Sequence, residues 1–175
     1  MFKPEWIRFN WDLKKLPAEE PKAGAGLTIR LGEEAEGRAI VTVLERTYQA
    51  EQGWGVARAA RLKELREVVL RGLGEKDLKV LMLQDGRRTV GVSVLCVAAD
   101  APRQLVSGVC VLEEYHCRGW GALLLWRSLK YLSEQGLERA AVVTRSNVNA
   151  CRYLYSKYHS TRERLDESPT LEKYC

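Results

Sequence analysis

Apolar residues follow two different periods in the first half of the chain. They alternate with polar residues over Leu27–Leu31, which predicts a strand. Helical spacing replaces this alternation from about residue 34 to 49 and again from about 56 to 70. The second of these helices is predicted to end at Gly72 or Gly74, because glycine is the commonest residue just beyond a helix.

Three more strands are predicted next, over residues 78–84, 89–98 and 104–112. Asp85-Gly86-Arg87-Arg88 separates the first two and Asp100-Ala101-Pro102-Arg103 separates the last two, and both are turn sequences. Short turns of this kind join neighbouring antiparallel strands. We therefore expect an antiparallel meander.

The second half begins with a buried strand, a tight turn containing Gly119 and Gly121, and a long amphipathic helix that ends near Gly136. A short, continuously apolar run follows at 140–144, which is typical of a strand buried on both faces. A strand, a helix and a second strand in this order predict a parallel pair. The remaining predicted elements are one helix and two short strands, at 147–158, 161–165 and 171–175.

Residues 1–26 differ in character from the rest of the chain. They contain large aromatic and apolar side chains followed by two prolines and a Gly-Ala-Gly linker. The aromatics are too few for a core of their own and too many for a disordered tail. The expected division is an N-terminal aromatic arm and linker, 1–26, and a domain formed by 27–175. We expect Trp6, Phe9 and Trp11 to pack on that domain or on a second subunit, as in a homodimer.

Composition limits the classes of function that fit this chain. It has 175 residues, 46% of them hydrophobic and 29% charged, and no apolar run long enough to span a bilayer, so one globular domain outside the membrane is expected. The first residues lack the apolar core of a secretory signal, which favours a cytoplasmic location. A net charge of +5 that is dispersed among acidic residues argues against nucleic-acid binding and fits a polyphosphate ligand.

The five cysteines are expected to be free thiols, and no metal site is predicted, because neither Cys-x-x-Cys pairs nor His-x-x-x-His spacing is present. Cys96 and Cys110 fit strand patterns as small core residues. Cys117 would lie beside Arg118 at a helix N-terminus, an environment that lowers the pKa of a thiol. No arrangement of partner side chains for a catalytic thiol is visible, so we favour a small tolerated residue at Cys117.

The turn between the buried strand and the long helix carries the clearest chemical signal. Gly119 and Gly121 have no Cβ atom, so backbone N–H groups at the start of the helix can approach a ligand closely. The positive end of the helix dipole lies at the same point, and together these features favour an anion, most naturally a pyrophosphate. Glycines that serve only the geometry of the turn are the alternative.

The sequence from Val111 to Leu124 resembles motif A of the GCN5-related N-acetyltransferases, in which Gln/Arg-x-x-Gly-x-Gly/Ala follows a strand. Gly119 and Gly121 match that pattern, whereas His116 stands at the Gln/Arg position. The order of the predicted elements over residues 27–175 is also that of this family. The resemblance implies an α/β (α+β) fold with a mixed, mostly antiparallel central sheet, one splayed pair of parallel strands and about four helices.

The resemblance also implies how acetyl-CoA would bind. The pantetheine amides would lie between the splayed strands as if they were a missing strand, bonded to backbone groups of Val109 and Val111. An N–H near Leu112 would act as the oxyanion donor. Asn147 is a further candidate for cofactor binding. The pyrophosphate would bind the backbone of the turn, which consists of Cys117, Arg118, Gly119, Trp120, Gly121 and Ala122.

Two catalytic roles follow from the same resemblance. The CoA thiolate needs a proton when it leaves, and family members often carry Asn-x-x-Ala with a tyrosine seven residues after the asparagine. Asn147-Val148-Asn149-Ala150 matches, but the tyrosine comes one residue late, as Tyr155. Tyr155 is the first candidate for the acid, with ordinary packing as its alternative role. Glu113 is the candidate base, and Glu114, His116 or a chain of water molecules are the alternatives.

The expected function is transfer of the acetyl group of acetyl-CoA to a primary amine, on a small molecule, protein or peptide, by direct attack in a ternary complex. A non-catalytic acyl-CoA-binding or regulatory module of the same fold is the alternative, which His116 and the shifted Tyr155 support. No side-chain signature in the sequence identifies the acceptor.

Overall fold

The computed structural model describes residues 3–167 and 170–171 of the chain. In this part of the chain one seven-stranded sheet is packed against α-helices. The strands are β1 Trp6–Asp12, β2 Leu27–Leu31, β3 Leu78–Asp85, β4 Arg88–Cys96, β5 Leu105–Val111, β6 Arg139–Arg145 and β7 Thr161–Leu165. The helices are α1 Gly37–Ala50, α2 Arg58–Gly72, α3 Trp120–Glu134 and α4 Asn149–Tyr153.

The strands lie in the order β2-β3-β4-β5-β6-β1-β7. Neighbours pair antiparallel except for β5 and β6, which are parallel and are connected through α3. The predicted meander corresponds to β3, β4 and β5. The predicted fold class, a mostly antiparallel mixed sheet with one parallel pair and four helices, is confirmed.

The centre of the sheet is buried on both faces. Every residue of β4 from Val90 to Cys96 apart from Gly91 is an apolar or small residue with at most 5% of its surface exposed, although consecutive side chains point to opposite faces. Helices α1 and α3 both pack against β4 and β5. Leu44 of α1 and Leu124 of α3 are fully buried in these contacts, so the helices fix the central strands from which the site is built.

The N-terminal segment contributes an interior strand that the sequence analysis did not predict. β1 pairs with β6 from Trp6↔Arg145 to Asp12↔Arg139 and with β7 on its other edge. Ile7, Phe9 and Trp11 are buried at every second position, which is the period-two signal of a strand. The predicted last strand, 171–175, lies outside the described residues except for Leu171.

Helix α4 is shorter than the predicted helix over 147–158, so that prediction was wrong in length. Val148 has an extended backbone and precedes the first helical residue, and Leu154 already departs from helical geometry at φ −115°. Tyr158 and His159 then adopt positive φ values of 60° and 61°, which no α-helix accommodates. The segment is therefore one short helix followed by an irregular connection to β7.

Candidate active site

β5 and β6 separate almost as soon as they meet. Leu105↔Val142 is their registered pair, and a bond from the Gln104 N–H to the Ala141 carbonyl (3.1 Å) extends it backwards. Beyond Leu105, β5 bulges against β4, and Gly108 adopts a positive φ of 69° within this bulge. A gap therefore opens between the two parallel strands, as the resemblance implies.

The bond pattern of β5 decides which backbone groups face this gap. The N–H of Leu112 donates to the carbonyl of Val90 on β4 at 2.8 Å. Backbone groups alternate in direction along an antiparallel strand, so those of Val109 and Val111 point away from β4 and toward the gap. This is the orientation that pantetheine binding requires. The N–H of Leu112 is engaged within the sheet, which removes the basis for its expected role as oxyanion donor.

Tyr155 enters the gap from the end of α4. Its hydroxyl accepts a hydrogen bond from the backbone N–H of Val109 at 3.0 Å, and only 3% of the residue is exposed. A Cβ atom at Gly108 would collide with this hydroxyl. Glycine is thus required at position 108 for two reasons: the positive φ and the close approach of the Tyr155 hydroxyl. The sequence analysis missed Gly108, although a glycine inside a strand pattern is a signal for a bulge.

A wide turn at the end of α4 compensates for the late position of this tyrosine. The N–H groups of Leu154 and Tyr155 both donate to the carbonyl of Ala150, each at 2.9 Å. The second bond spans five residues instead of four and so widens the last turn. Leu154 then packs beside Gly121 at the start of α3, while Tyr155 reaches β5.

The environment of Tyr155 keeps its phenol protonated. Burial is the largest cause that raises the pKa of Tyr155 above its ordinary value, and the hydrogen bond from Val109 opposes this shift without cancelling it. The Val109 N–H uses acceptor capacity of the hydroxyl, so the phenolic hydrogen is left to be donated. Among the described residues no acceptor for that hydrogen is present. The phenolic hydrogen is therefore available for donation.

The start of α3 presents backbone donors, as predicted for the pyrophosphate turn. The N–H of Leu123 makes the first bond of the helix, to the carbonyl of Gly119 at 3.1 Å. The N–H groups of Trp120, Gly121 and Ala122 precede this bond and have no carbonyl partner within the helix. Gly119 has φ +78°, a left-handed conformation that favours glycine.

Arginine and aromatic side chains surround this turn. The rings of Tyr115 and Trp120 are stacked with centroids 5.0 Å apart, and the Arg118 guanidinium lies 5.2 Å and 5.4 Å from the two centroids. The Arg88 guanidinium lies 5.4 Å from the Tyr115 centroid. The Arg88 guanidinium also pairs with the Glu114 carboxylate at 2.8 Å, so Arg118 supplies the positive charge beside the turn, and such a charge favours an anionic ligand.

His116 occupies one of the backbone groups that face the gap. Its Nε2 atom lies 2.7 Å from the carbonyl oxygen of Val111. A carbonyl oxygen can only accept, so Nε2 carries the hydrogen and donates it. The side chain at the Gln/Arg position of motif A is therefore bonded to the same strand that would bind pantetheine.

The structure separates the two candidate glutamates. The Glu114 carboxylate is bonded to Arg46 at 2.9 Å and to Arg88 at 2.8 Å. A hydrogen bond with its own backbone N–H, and then Arg46 and Arg88, lower the pKa of Glu114. Glu113 forms no ion pair within the described part of the chain, and it lines an open cleft. Glu113 is therefore better placed to accept a proton than Glu114.

A polar cleft lies at the edge of the sheet where β5 and β6 end. Its volume is about 450 Å³, and Glu113 follows β5 while Asn147 follows β6. The Asn147 Oδ1 atom is buried and has no hydrogen-bond partner among the described residues. The lining residues are Ala50, Glu51, Gln52, Gly53, Glu113, Asn147, Asn149 and Arg152. A larger hollow, about 620 Å³, lies near the start of β3 and the end of β4, away from these groups.

The described residues, 3–167 and 170–171, contain neither a cluster of metal ligands nor a helix suited to a membrane. In that part of the chain no group of three or more His, Cys, Asp or Glu side chains is arranged to hold a metal ion. None of the helices described there combines the length and the apolarity that crossing a bilayer requires.

Comparison with known families agrees with the fold and with the turn at the start of α3. The model of the acetyltransferase (GNAT) family matches residues 37–158, which is well over half of the chain. The chain belongs to the GNAT acetyltransferase family, and the predicted resemblance is confirmed. No curated protein sequence matches it.

Solved structures share the fold at low sequence identity. A Drosophila protein superposes with a TM-score of 0.63 and 13% identity, over 93% of this chain and 49% of its own. A GCN5-related N-acetyltransferase from Kribbella flavida superposes with a TM-score of 0.60 and 14% identity, over 93% of this chain and 55% of its own. One from Sphaerobacter thermophilus superposes with a TM-score of 0.57 and 17% identity, over 93% of this chain and 50% of its own. This chain thus spans about half the length of these three proteins.

Proposed function

We propose that this chain transfers the acetyl group of acetyl-CoA to a primary amine by direct attack in a ternary complex. The observation that carries the proposal is the position of Tyr155, whose hydroxyl lies on the Val109 N–H inside the gap between β5 and β6. Acyl transfer is the reaction class of the family to which the chain belongs.

The residues present fit acetyl-CoA at both ends of the gap. When bound, this co-substrate supplies an activated acetyl group as a thioester. The N–H groups of Trp120, Gly121 and Ala122 would bind the pyrophosphate, with Arg118 beside them. The gap-facing backbone groups of Val109 and Val111 would bind the pantetheine amides, and Asn147 Oδ1 would accept a hydrogen bond at the mouth of the gap.

Tyr155 is proposed as the general acid. A phenol with a raised pKa stays protonated at neutral pH, so its hydrogen can bond to the sulfur as the bond to carbon breaks. The raised pKa disfavours complete transfer of the proton, so the phenol would stabilise the leaving thiolate mainly through this hydrogen bond.

Glu113 is proposed as the base, acting directly or through water. The amine must lose a proton as it attacks, and Glu113 is an unpaired carboxylate in the cleft at the mouth of the gap. The cleft is lined mostly by polar side chains, two of them carboxylates. We therefore propose a hydrophilic acceptor that carries a primary ammonium group.

A second candidate function is a non-catalytic acyl-CoA-binding module. One observation favours it: Tyr155 bonds the Val109 N–H and His116 bonds the Val111 carbonyl, so protein side chains already occupy two groups expected to contact the ligand. Both contacts would have to yield or rearrange when acetyl-CoA binds. Catalysis and binding alone are distinguished by whether CoA is released.

The test is acceptor-dependent release of CoA. Wild-type protein and acetyl-CoA are incubated with a panel of polyamines, amino sugars, amino acids and peptides, and free thiol is measured with a chromogenic disulfide. The proposal predicts release with at least one amine and a matching acetylated product by mass spectrometry. Tight binding of acetyl-CoA with no release for any amine would favour the non-catalytic module.

A further inference from the structure

The contacts of β1 with Tyr155 point to a role for the N-terminal strand at the active site. The Phe9 ring lies 5.8 Å from the Tyr155 ring, centroid to centroid, and the Trp11 ring lies 6.2 Å away in an edge-to-face arrangement. Phe9 and Trp11 are two residues apart on one strand, so their side chains point to the same face. Tyr155 packs across both of them.

Trp11 also fixes the chain that follows Tyr155. Its indole N–H donates to the carbonyl of Lys157 at 2.9 Å, and Trp11 is 2% exposed. The Ser160 hydroxyl donates a hydrogen bond to the backbone carbonyl of Tyr155 at 2.6 Å, and this bond also holds the segment. The irregular connection after α4 is therefore held in part by an indole bond from β1.

α4 alone cannot hold the tyrosine in place. The helix has five residues, and Tyr155 follows its C-cap residue Leu154, at the end of the widened last turn. A helix this short has little stability of its own, so the orientation of the phenol depends on tertiary contacts. Those contacts are the Val109 N–H at its tip and the two β1 rings against its side.

We infer that β1 positions Tyr155 for proton transfer, with Phe9 and Trp11 as positioning residues. This inference rests on the proposed function for its consequence in catalysis, but its structural part can be tested without any acceptor. Residues 6–12 would then be a component of the active site, although they lie outside the segment matched by the family model. Both rings contact the Tyr155 ring, so the inference is that they act through Tyr155.

The chain offers a matched control for the indole bond. Trp126 of α3 also donates its indole N–H to a backbone carbonyl, that of Pro17, at 2.8 Å, and it is 5% exposed. Both bonds therefore tie the N-terminal segment to the body of the protein through a buried tryptophan. Only the Trp11 bond lies behind Tyr155.

The first measurement is hydrogen exchange at the Val109 amide, whose protection reports its bond to Tyr155. Trp11→Phe and Phe9→Leu should each speed exchange at Val109 by about tenfold more than at Val92, a buried amide of β4 that corrects for overall stability. Trp126→Phe, the control, should change the exchange rates of the Val109 and Val92 amides by the same factor. If the exchange rates at Val109 and Val92 rise by equal factors in both Trp11→Phe and Phe9→Leu, the inference is overturned.

The second measurement is a double-mutant cycle on kcat with the best acceptor. Trp11→Phe alone should lower kcat by about fivefold to tenfold with an unchanged Kd for acetyl-CoA, and should lower it by less than about twofold in the Tyr155→Phe background. An undiminished loss in that background would contradict positioning. If no amine supports turnover, the proposed function fails, while hydrogen exchange at Val109 still decides whether β1 positions Tyr155.

Discussion

The turn at the start of α3 and the end of α4 serve the same gap in different ways. The turn offers backbone N–H groups whose direction follows from two glycines and a helix N-terminus, all within six residues of sequence. At the end of α4, one side chain is placed by contacts with β5 and β1, which are more than 40 residues away in the chain. Under the proposed function, binding would thus be encoded locally, whereas proton transfer would be encoded through tertiary structure.

This difference has a consequence for substitutions. In the turn, the identity of most side chains is unimportant as long as the backbone is accessible, so added charge or bulk is what disrupts it. Around Tyr155, the loss of a distant packing contact is enough to misplace the reacting group. The predictions below address each region with a matched control.

The largest effect is expected from a charge in the turn. A Cβ at Gly121 would make only an ordinary contact, 3.7 Å from Leu154 Cδ2, so a residue other than glycine can be introduced here. Gly121→Asp should weaken acetyl-CoA binding by about 10²-fold, because its carboxylate repels the pyrophosphate. Calorimetric titration of acetyl-CoA measures this.

Gly121→Ala is the control for this substitution. It adds a methyl group without charge, and alanine is favoured over glycine in a helix, so folding should not suffer. We expect its Kd to stay within about threefold of wild type. Equal Kd values for the alanine and aspartate variants would show that the pyrophosphate binds elsewhere.

The order of helices and strands was largely predictable, because each helix and most strands carry a clear period. Leu27–Leu31 became β2, and the meander and the parallel strand after α3 were found as predicted. β1 was missed because its three aromatic residues were interpreted as an arm, although Ile7, Phe9 and Trp11 alternate regularly. The roles assigned to individual site residues remain predictions.

The geometry around Tyr155 could not be read from local sequence. In an ideal α-helix, a shift of one residue would rotate Tyr155 by about 100° around the helix axis from the position of the tyrosine in the family. The bond from its N–H to Ala150, five residues back, changes that count, and such a turn has no simple sequence signature. The engagement of Leu112 in the sheet likewise depends on the bulge at Gly108, which shifts the pairing of β4 and β5.

A smaller effect is expected from the candidate base. Glu113→Gln should lower kcat by about tenfold and leave acetyl-CoA binding unchanged, because water can replace part of a base at the mouth of the cleft. Glu114→Gln is the control, since it removes exposed ion pairs with Arg46 and Arg88 and is expected to affect activity little. Steady-state rates with a saturating acceptor compare the two. If kcat falls equally in Glu113→Gln and Glu114→Gln, Glu113 is not the base.

The smallest effect concerns stability at high pH. Burial raises the pKa of Tyr155 and of Tyr48 above the ordinary value of 10.0, so the folded state keeps protons that the unfolded state loses. The free energy of unfolding should therefore fall as pH rises above about 10, by at most about 1.4 kcal/mol per pH unit for each group. Urea unfolding at several pH values measures this slope.

Tyr155→Phe should make the fall shallower, because one of the two buried phenols is gone. Tyr153→Phe is the control, since Tyr153 is 71% exposed, and its slope should match wild type. A Tyr155→Phe slope as steep as that of wild type would mean that the phenol ionises as easily in the folded chain as in the unfolded one.

The most direct test of the separation between binding and proton transfer is to measure Kd for acetyl-CoA and kcat on the Tyr155→Phe variant. The backbone of the turn is untouched in this variant, and the hydroxyl that occupies the Val109 N–H is gone, so Kd should be no weaker than that of wild type. The loss of the phenolic hydrogen should lower kcat by about 10² or less, because a CoA thiol leaves without full protonation. Full turnover in a folded variant, or a parallel loss of binding, would contradict the account.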